Sequence, residues 1–122
     1  MAKLGKLRLL SDLRKLLAQS DTQIIERRQK ICGQSTWDYD LDLKKVSAIK
    51  IILDPRRDGR VRLVIHELLH MYMDLHYGID SLSYEIEEAA VVAWEDVLYG
   101  YLHDSKRAHL LESWNKAIGR KM

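Results

Sequence analysis

The chain has little of what would make it a secreted or membrane-spanning protein. It has one cysteine, Cys32, one proline, Pro55, and no phenylalanine in 122 residues. A single cysteine excludes a disulfide within the chain and suits a reducing compartment. No apolar run approaches the roughly 20 residues of a membrane span. The basic residues 1–10 lack the apolar stretch of a signal peptide, so we expect a cytoplasmic protein with no membrane partner.

The bulk composition is that of one folded domain. Hydrophobic residues make up 47% of the chain and charged residues 31%, which is ordinary for a globular protein. The length suits one hydrophobic core, and the sequence has no internal repeat. We therefore expect a single domain, 1–122. Its predicted parts are a basic helical segment (1–31), a central unit with the sheet and two helices (37–102), and a C-terminal helix (104–122).

The net charge of +2 is unevenly distributed. Residues 1–31 hold eight Lys and Arg against three acidic residues, a net charge of +5, so the remainder of the chain carries −3. Such a basic segment could contact nucleic acid or an acidic partner. A solvated helix face is the plainer interpretation of the same pattern.

Hydrophobic periodicity predicts an α+β fold. Leucines at helical spacing predict one or two helices between about Leu7 and Ile31, with a break at Ser20–Asp21 and a stop at Gly33. Alternating apolar and acidic residues at 37–43 and a β-branched run at 46–53 predict two strands, followed by turn residues at 54–59. We expect a small, mainly antiparallel sheet packed on a helical core.

Three helices are predicted in the second half of the chain. The first begins at about Arg60 and ends near Gly78. Ser83 is a candidate N-cap for the second helix, without a full capping box because Ile86 follows three residues later. The third covers about residues 106–118.

The most informative motif is His66-Glu67-Leu68-Leu69-His70, an HExxH sequence within the first of these helices. Histidines four apart lie on one face of a helix, where both can bind one Zn²⁺. Glu67 can then act as the general base that takes a proton from water activated by the metal. Two histidines and a carboxylate also suit Fe²⁺, Mn²⁺ or Co²⁺, so zinc is inferred from the ligand types.

A third protein ligand is needed, and the residues alone leave alternatives open. His76 has metzincin spacing, but Met73 replaces the central glycine of that pattern, so a continuing helix would point His76 away from the site. The other source is a carboxylate of the next helix. In that helix, periodicity favours Glu87 as the ligand. Glu85 lies too early in the helix to reach the height of the histidines. Glu88 and Glu95 are the remaining candidates.

These residues resemble a gluzincin, a zinc peptidase with HExxH on one helix and a glutamate ligand on the next. Glu87-Glu88-Ala89-Ala90-Val91 is similar to the glutamate motif of that group. The resemblance implies His66, His70 and Glu88 as metal ligands and Glu67 as catalytic base. The resemblance covers residues 46–102. Within the gluzincins the chain is similar to minigluzincins and to small phage and prophage metallopeptidase-like proteins, and it resembles ImmA/IrrE peptidases more weakly. Val92 stands where gluzincins often have an acid that orients a zinc histidine, so such support must come from elsewhere.

The function expected from these residues is a zinc metallopeptidase that hydrolyses a peptide or protein substrate. The strand at 46–53 is predicted to pair with that substrate through a free edge. Tyr72, Tyr99, His103 and His109 are candidate donors to an oxyanion, although a packed or surface role is the plainer interpretation of each. The alternative function is a non-proteolytic, metal-containing regulatory module. In either case the basic segment could be a tether to nucleic acid.

Overall fold

The computed structural model describes residues 2–19, 21–27, 33–40, 42–43, 45–54, 59–77 and 83–122. In these ranges a small three-stranded sheet packs on four α-helices, which confirms the predicted α+β fold. The elements follow the order α1 (Ala2–Leu17), β1 (Gln23–Glu26), β2 (Gly33–Asp40), β3 (Lys45–Leu53), α2 (Arg60–Tyr77), α3 (Tyr84–His103), a 3₁₀ helix (Ser105–Arg107) and α4 (Ala108–Gly119).

The sheet has the order β1-β3-β2, with β3 in the centre. β2 is antiparallel to β3 over most of its length, and the shorter β1 is parallel to β3. The register of β2 against β3 shifts between Thr36 and Asp38. Ala48, on the β3 side of this shift, has a positive φ of 51°. This combination is typical of a β-bulge, which bends the strand pair.

The prediction of helix up to residue 31 is wrong, because residues 23–26 form strand β1. Ile24 is 2% exposed and lies opposite Ile51, which is fully buried at the centre of the sheet. Two adjacent β-branched residues in a four-residue segment favour a strand, but a segment this short shows no period that separates strand from helix. The helical part of the predicted basic segment therefore ends at Leu17.

The boundaries of β2 also differ from the prediction. Gly33 begins this strand and does not stop a helix. At the other end, the Asp40 carboxylate accepts hydrogen bonds from the backbone N–H groups of Asp42 and Leu43, a turn that ends the strand. Leu43, predicted as a strand residue, is 71% exposed. The predicted break at Ser20, the turn residues 55–58 and the helix stop at Gly78 lie outside the described residues.

Helix α2 is the centre of the domain. It contacts β2, β3 and each of the three other α-helices. Its buried apolar side chains belong to one hydrophobic cluster that also includes residues of α1, β1, β3, α3 and α4. None of the helices in the described ranges is long and apolar enough to cross a membrane. The HExxH motif therefore lies on the element whose position is fixed from the most directions.

The two helices after α2 begin much as predicted. The Ser83 hydroxyl accepts a hydrogen bond from the backbone N–H of Ile86, which caps α3. Asp104 accepts from the N–H of Lys106 and starts the 3₁₀ helix, so α4 begins at Ala108, two residues later than expected. The cap at Ser83 fixes where α3 starts, and with it which acidic residues face α2.

Candidate metal centre

His66 and His70 form one side of the candidate site. They are one turn apart on α2, and their ring centroids are separated by 5.1 Å. Their side chains are 20% and 13% exposed, so both reach solvent at the edge of the core. Ile65, Leu68 and Leu69 are buried between and beside them, which fixes the rotation of α2.

Glu88 of α3 faces both imidazoles. Its Oε1 lies 3.1 Å from Nε2 of His66, and its Oε2 lies 2.9 Å from Nε2 of His70. Each of the three residues offers a ligand atom within 4.8 Å of the other two, close enough to share a metal ion. Two imidazole nitrogens and one carboxylate form the ligand set of many catalytic zinc sites, which leaves a fourth position for water or substrate. The residues therefore fit a zinc ion.

Two alternative ligands, Glu87 and Glu95, contact the other nitrogen of each histidine. Glu87 Oε2 lies 2.8 Å from Nδ1 of His70, and Glu95 Oε1 lies 2.5 Å from Nδ1 of His66. Neither belongs to the group of three that converges on one point. Glu95 follows Glu88 by seven residues, which is two helical turns on the same face. It therefore supplies the carboxylate that orients a histidine, which Val92 cannot supply.

These carboxylates determine which imidazole nitrogen can bind a metal. An ionised carboxylate only accepts hydrogen bonds, so Nδ1 of each histidine carries the proton and donates it to Glu87 or Glu95. This arrangement leaves each Nε2 facing Glu88, and its lone pair would be available to a metal ion held there. Carboxylate partners of this kind orient the ring and raise its basicity as a ligand.

Arg62, one turn before His66 on α2, holds Glu95 in place. Its guanidinium forms ion pairs with Glu95 and with Asp96. Burial would raise the pKa of Glu95, but hydrogen bonds and charge from His66 and Arg62 outweigh burial and lower it. Glu95 is therefore an ionised carboxylate at neutral pH, as the contact with His66 requires.

The imidazole of His66 is more basic than an ordinary one. Burial lowers its pKa, but the hydrogen bond to Glu95 and the charges of Glu67, Glu88 and Glu95 raise it above 6.5 overall. The surrounding negative charge favours any cation at this position, whether a proton or a metal ion. A metal ion at His66 would therefore compete with a proton.

Glu67, the predicted general base, is 7% exposed and points towards the sheet. The Ser35 hydroxyl of β2 donates a hydrogen bond of 2.7 Å to its Oε1. Gly33 lies beside the same carboxylate, since a Cβ at this position would be 3.1 Å from Glu67 Oε2. Neither Gly33 nor Ser35 was predicted as a site residue. Their only signal in the sequence is that two small residues occupy alternate positions of a strand.

An open cavity of about 550 Å³ surrounds these groups. Beside the two histidines, Glu88 and Glu67, its wall includes Gly33, Ser35 and Trp37 of β2 and Tyr84 of α3. Tyr84, which was not predicted, is 70% exposed and lies one turn before Glu88. The i, i+4 spacing to Glu88 was the signal that could have identified it.

The candidate oxyanion donors and the metzincin-type ligand lie elsewhere. Tyr72 contacts His76, with ring centroids 4.1 Å apart, and Tyr99 contacts His103 at 4.4 Å. His76 and His109 are exposed. None of these five residues lines the cavity around His66, so none is placed to act on a substrate there.

The prediction that the strand at 46–53 offers a free edge is wrong over its second half. β3 is the central strand, and its residues 50–53 pair with β1 on one side and with β2 on the other. Within the described ranges β1 and β2 are the two edge strands, and Gly33, Ser35 and Trp37 of β2 line the cavity. The edge strand beside the candidate site is therefore β2.

Some of the basic residues of α1 have structural partners. Arg14 donates a hydrogen bond of 3.0 Å to the Ser113 hydroxyl and lies over the ring of Trp114 at 5.5 Å. Lys6 Nζ lies 5.8 Å from the centroid of Tyr101. These contacts join α1 to α3 and α4, so part of the positive charge of this segment contributes to helix packing.

No family model matches the chain, and neither do curated proteins or solved structures.

Proposed function

We propose that this protein is a zinc-dependent metallopeptidase that hydrolyses a peptide or protein substrate in the cavity between α2, α3 and β2. The observation that supports this most is the convergence of His66, His70 and Glu88 on one point, with Glu67 next to the first ligand. The HExxH motif and the glutamate motif resemble those of gluzincins, which adds to the argument.

In this proposal His66, His70 and Glu88 would hold the ion. Bound there, zinc would supply Lewis acidity, which lowers the pKa of water and polarises a carbonyl oxygen. Glu87 and Glu95 keep the two histidines in the required tautomer, as their contacts with the Nδ1 atoms indicate. Negative charge around His66 favours a cation at the site, as the raised pKa of this histidine indicates.

Glu67 is the proposed general base. Its carboxylate lines the cavity and can accept a proton from the attacking water and pass it to the leaving amine. A substrate in extended conformation could pair with the edge strand β2, which would bring its carbonyl groups past Glu67. Tyr84 is the tyrosine of the cavity wall, and its exposed side chain is a candidate contact to that substrate.

A cytoplasmic location is also part of the proposal. It is supported by the single cysteine, Cys32, which cannot form a disulfide within the chain. The basic segment remains a candidate contact to nucleic acid, to be tested by the salt dependence of DNA binding.

The first experiment is the metal content of protein purified without added metal. We expect about one zinc ion per chain in the wild type, and loss of zinc in His70→Ala and in Glu88→Ala, because each removes one of three ligands. His76→Ala is the matched control, since this exposed histidine lies on the same helix outside the site. The absence of metal in the wild type, even after incubation with Zn²⁺, would overturn the proposal.

The second experiment tests catalysis with a peptide library. The wild type should cleave peptides, and Glu67→Gln should retain zinc but lose activity by about 10²-fold or more, since it lacks the general base. Zinc in the wild type without cleavage of any peptide would instead support the non-proteolytic module.

A further inference from the structure

Beyond the ligands and the base, one contact from the sheet reaches the reacting groups. Ser35, on β2, and Glu67, on α2, are 32 residues apart in the chain, and the Ser35 hydroxyl donates to Glu67 Oε1 at 2.7 Å. Hydrogen bonds to an ionised carboxylate are stronger than those between neutral groups. Because Glu67 is 7% exposed, water competes poorly for this contact. The hydroxyl therefore restricts the carboxylate to one orientation.

Gly33 lies close to the other oxygen of the same carboxylate. It precedes Ser35 by two residues, so both positions belong to the same face of β2. A Cβ at position 33 would lie 3.1 Å from Glu67 Oε2 and 3.5 Å from Cδ. A Cβ at this distance would require the carboxylate or the strand to shift by a few tenths of an ångström. The absence of a side chain at Gly33 is what leaves room for Oε2.

We infer that Ser35 and Gly33 are positioning residues for the general base, and that Oε2 of Glu67 is the oxygen that takes the proton from water. Oε1 is already engaged by the Ser35 hydroxyl, whereas no side chain in the described ranges donates to Oε2. In the proton transfer the O–H bond of water breaks and a bond from the proton to Oε2 forms. The electron pair stays on the water oxygen, which bonds to the carbonyl carbon, and the proton passes from Oε2 to the leaving amine, while Ser35 keeps its own proton. This inference rests on the proposed peptidase function for its catalytic part.

The contact itself can be tested without activity, by a double-mutant cycle. The variants are Ser35→Ala, Glu67→Met and the double variant of the full chain, unfolded in urea with a chelator present so that metal makes no contribution. We expect the two effects on the unfolding constant to be non-additive by about tenfold, the coupling typical of a hydrogen bond to a charged group. Additive effects would overturn the inference.

The positioning role is tested on the zinc-loaded protein with a peptide that the wild type cleaves. Ser35→Ala should lower kcat by about tenfold, with KM and zinc content unchanged. The loss is smaller than the full contribution of a general base because Glu67 itself is still present. Ser35→Thr, which keeps the hydroxyl, should restore kcat. Thr36→Ala is the matched control, because it removes an exposed hydroxyl from the opposite face of the same strand.

Gly33→Ala gives an independent test of the second position. It should lower kcat while zinc content remains at one per chain, because the added Cβ presses on Glu67 and not on a ligand. Loss of zinc in Ser35→Ala or Gly33→Ala would show a structural role and overturn the inference. If the wild type cleaves no peptide, the proposed function fails, and the double-mutant cycle still decides whether Ser35 holds Glu67.

Discussion

Nδ1 of His66 lies 2.5 Å from Oε1 of Glu95, and this carboxylate is in turn paired with Arg62. Arg62 contacts Oε2 of this carboxylate and His66 contacts Oε1, so Glu95 connects the guanidinium to the imidazole that faces Glu88. Such contacts determine both the orientation of the ring and its proton affinity. Much of the behaviour of the metal site should therefore depend on a residue that binds no metal.

Replacing Glu95 by glutamine should weaken zinc binding without removing a ligand. The amide can still accept a hydrogen bond from Nδ1 of His66, but it carries no charge, so the imidazole becomes a poorer ligand. We expect the affinity for zinc to fall by about 10- to 100-fold, as measured by competition with a chromophoric chelator. Asp96→Asn is the control, because Asp96 contacts Arg62 but not His66. An equal loss in both variants would contradict the assignment.

Zinc affinity should fall as the pH decreases, because a proton and the metal compete for Nε2 of His66. The pKa of this histidine is raised above 6.5, so competition already begins at a pH above 6.5. Below the raised pKa the affinity should fall by about tenfold per pH unit. In Glu95→Gln the pKa of His66 decreases, so the fall should begin at a lower pH. A fall that begins at the same pH in both proteins would contradict this explanation.

Glu87 and Glu88 are neighbours in sequence but should differ in their effect on metal stoichiometry. Glu87 contacts Nδ1 of His70, whereas Glu88 contacts the Nε2 atoms of both histidines. We expect Glu87→Ala to bind one zinc per chain at saturating metal with an affinity about 10- to 100-fold lower. Glu88→Ala should not reach this stoichiometry. Calorimetric titration of both variants separates the two roles, and the reverse result would make Glu87 the ligand.

The part of the site that lies on one helix could be predicted from the sequence. The spacing of His66 and His70 follows from the helical repeat, and apolar neighbours place them on α2. The choice among Glu87, Glu88 and Glu95 could not be made from periodicity, because a difference of one residue in the start or rotation of α3 changes which carboxylate faces α2. The resemblance to gluzincins favoured Glu88, whose carboxylate oxygens contact the Nε2 atoms of both histidines in the structure.

Contacts between the sheet and the helices could not be predicted. The distance from Ser35 to Glu67 depends on the register of β2 against β3 and on how α2 crosses the sheet, neither of which is encoded locally. Strand β1 was missed for a related reason, since Ile24 becomes a strand residue by pairing with Ile51. Long-range pairing of this kind overrides local propensity.

Leu68 should be among the most important residues for stability. It lies between the two histidines, is fully buried and faces the cluster that joins all layers of the domain. Leu68→Ala should reduce the free energy of unfolding by about 2–5 kcal/mol, as measured in urea. Leu43→Ala, at a position that is 71% exposed, should change it by less than about 0.5 kcal/mol. Similar effects of the two substitutions would contradict the packing described for α2.

Arg62 should stabilise the fold by neutralising the nearly buried Glu95. Arg62→Leu removes the ion pairs with Glu95 and Asp96 and leaves the Glu95 carboxylate, whose side chain is 10% exposed, with His66 as its remaining polar partner in the described ranges. We expect a loss of about 1–3 kcal/mol at neutral pH, measured by urea unfolding in the presence of a chelator. Arg60→Leu should lose less than about 1 kcal/mol, because its pair with Glu26 is more exposed.

The pH dependence of this loss gives the sharper test. The pKa of Glu95 is lowered in the folded protein, so the ion pair stabilises the fold above the pKa of the unfolded state. This contribution is lost as the pH falls through the lowered pKa, where the carboxylate becomes protonated. The difference in stability between wild type and Arg62→Leu should therefore shrink in acid. A difference that stays constant from neutral pH to strongly acidic pH would mean that Arg62 acts through packing of its aliphatic stem and not through its charge.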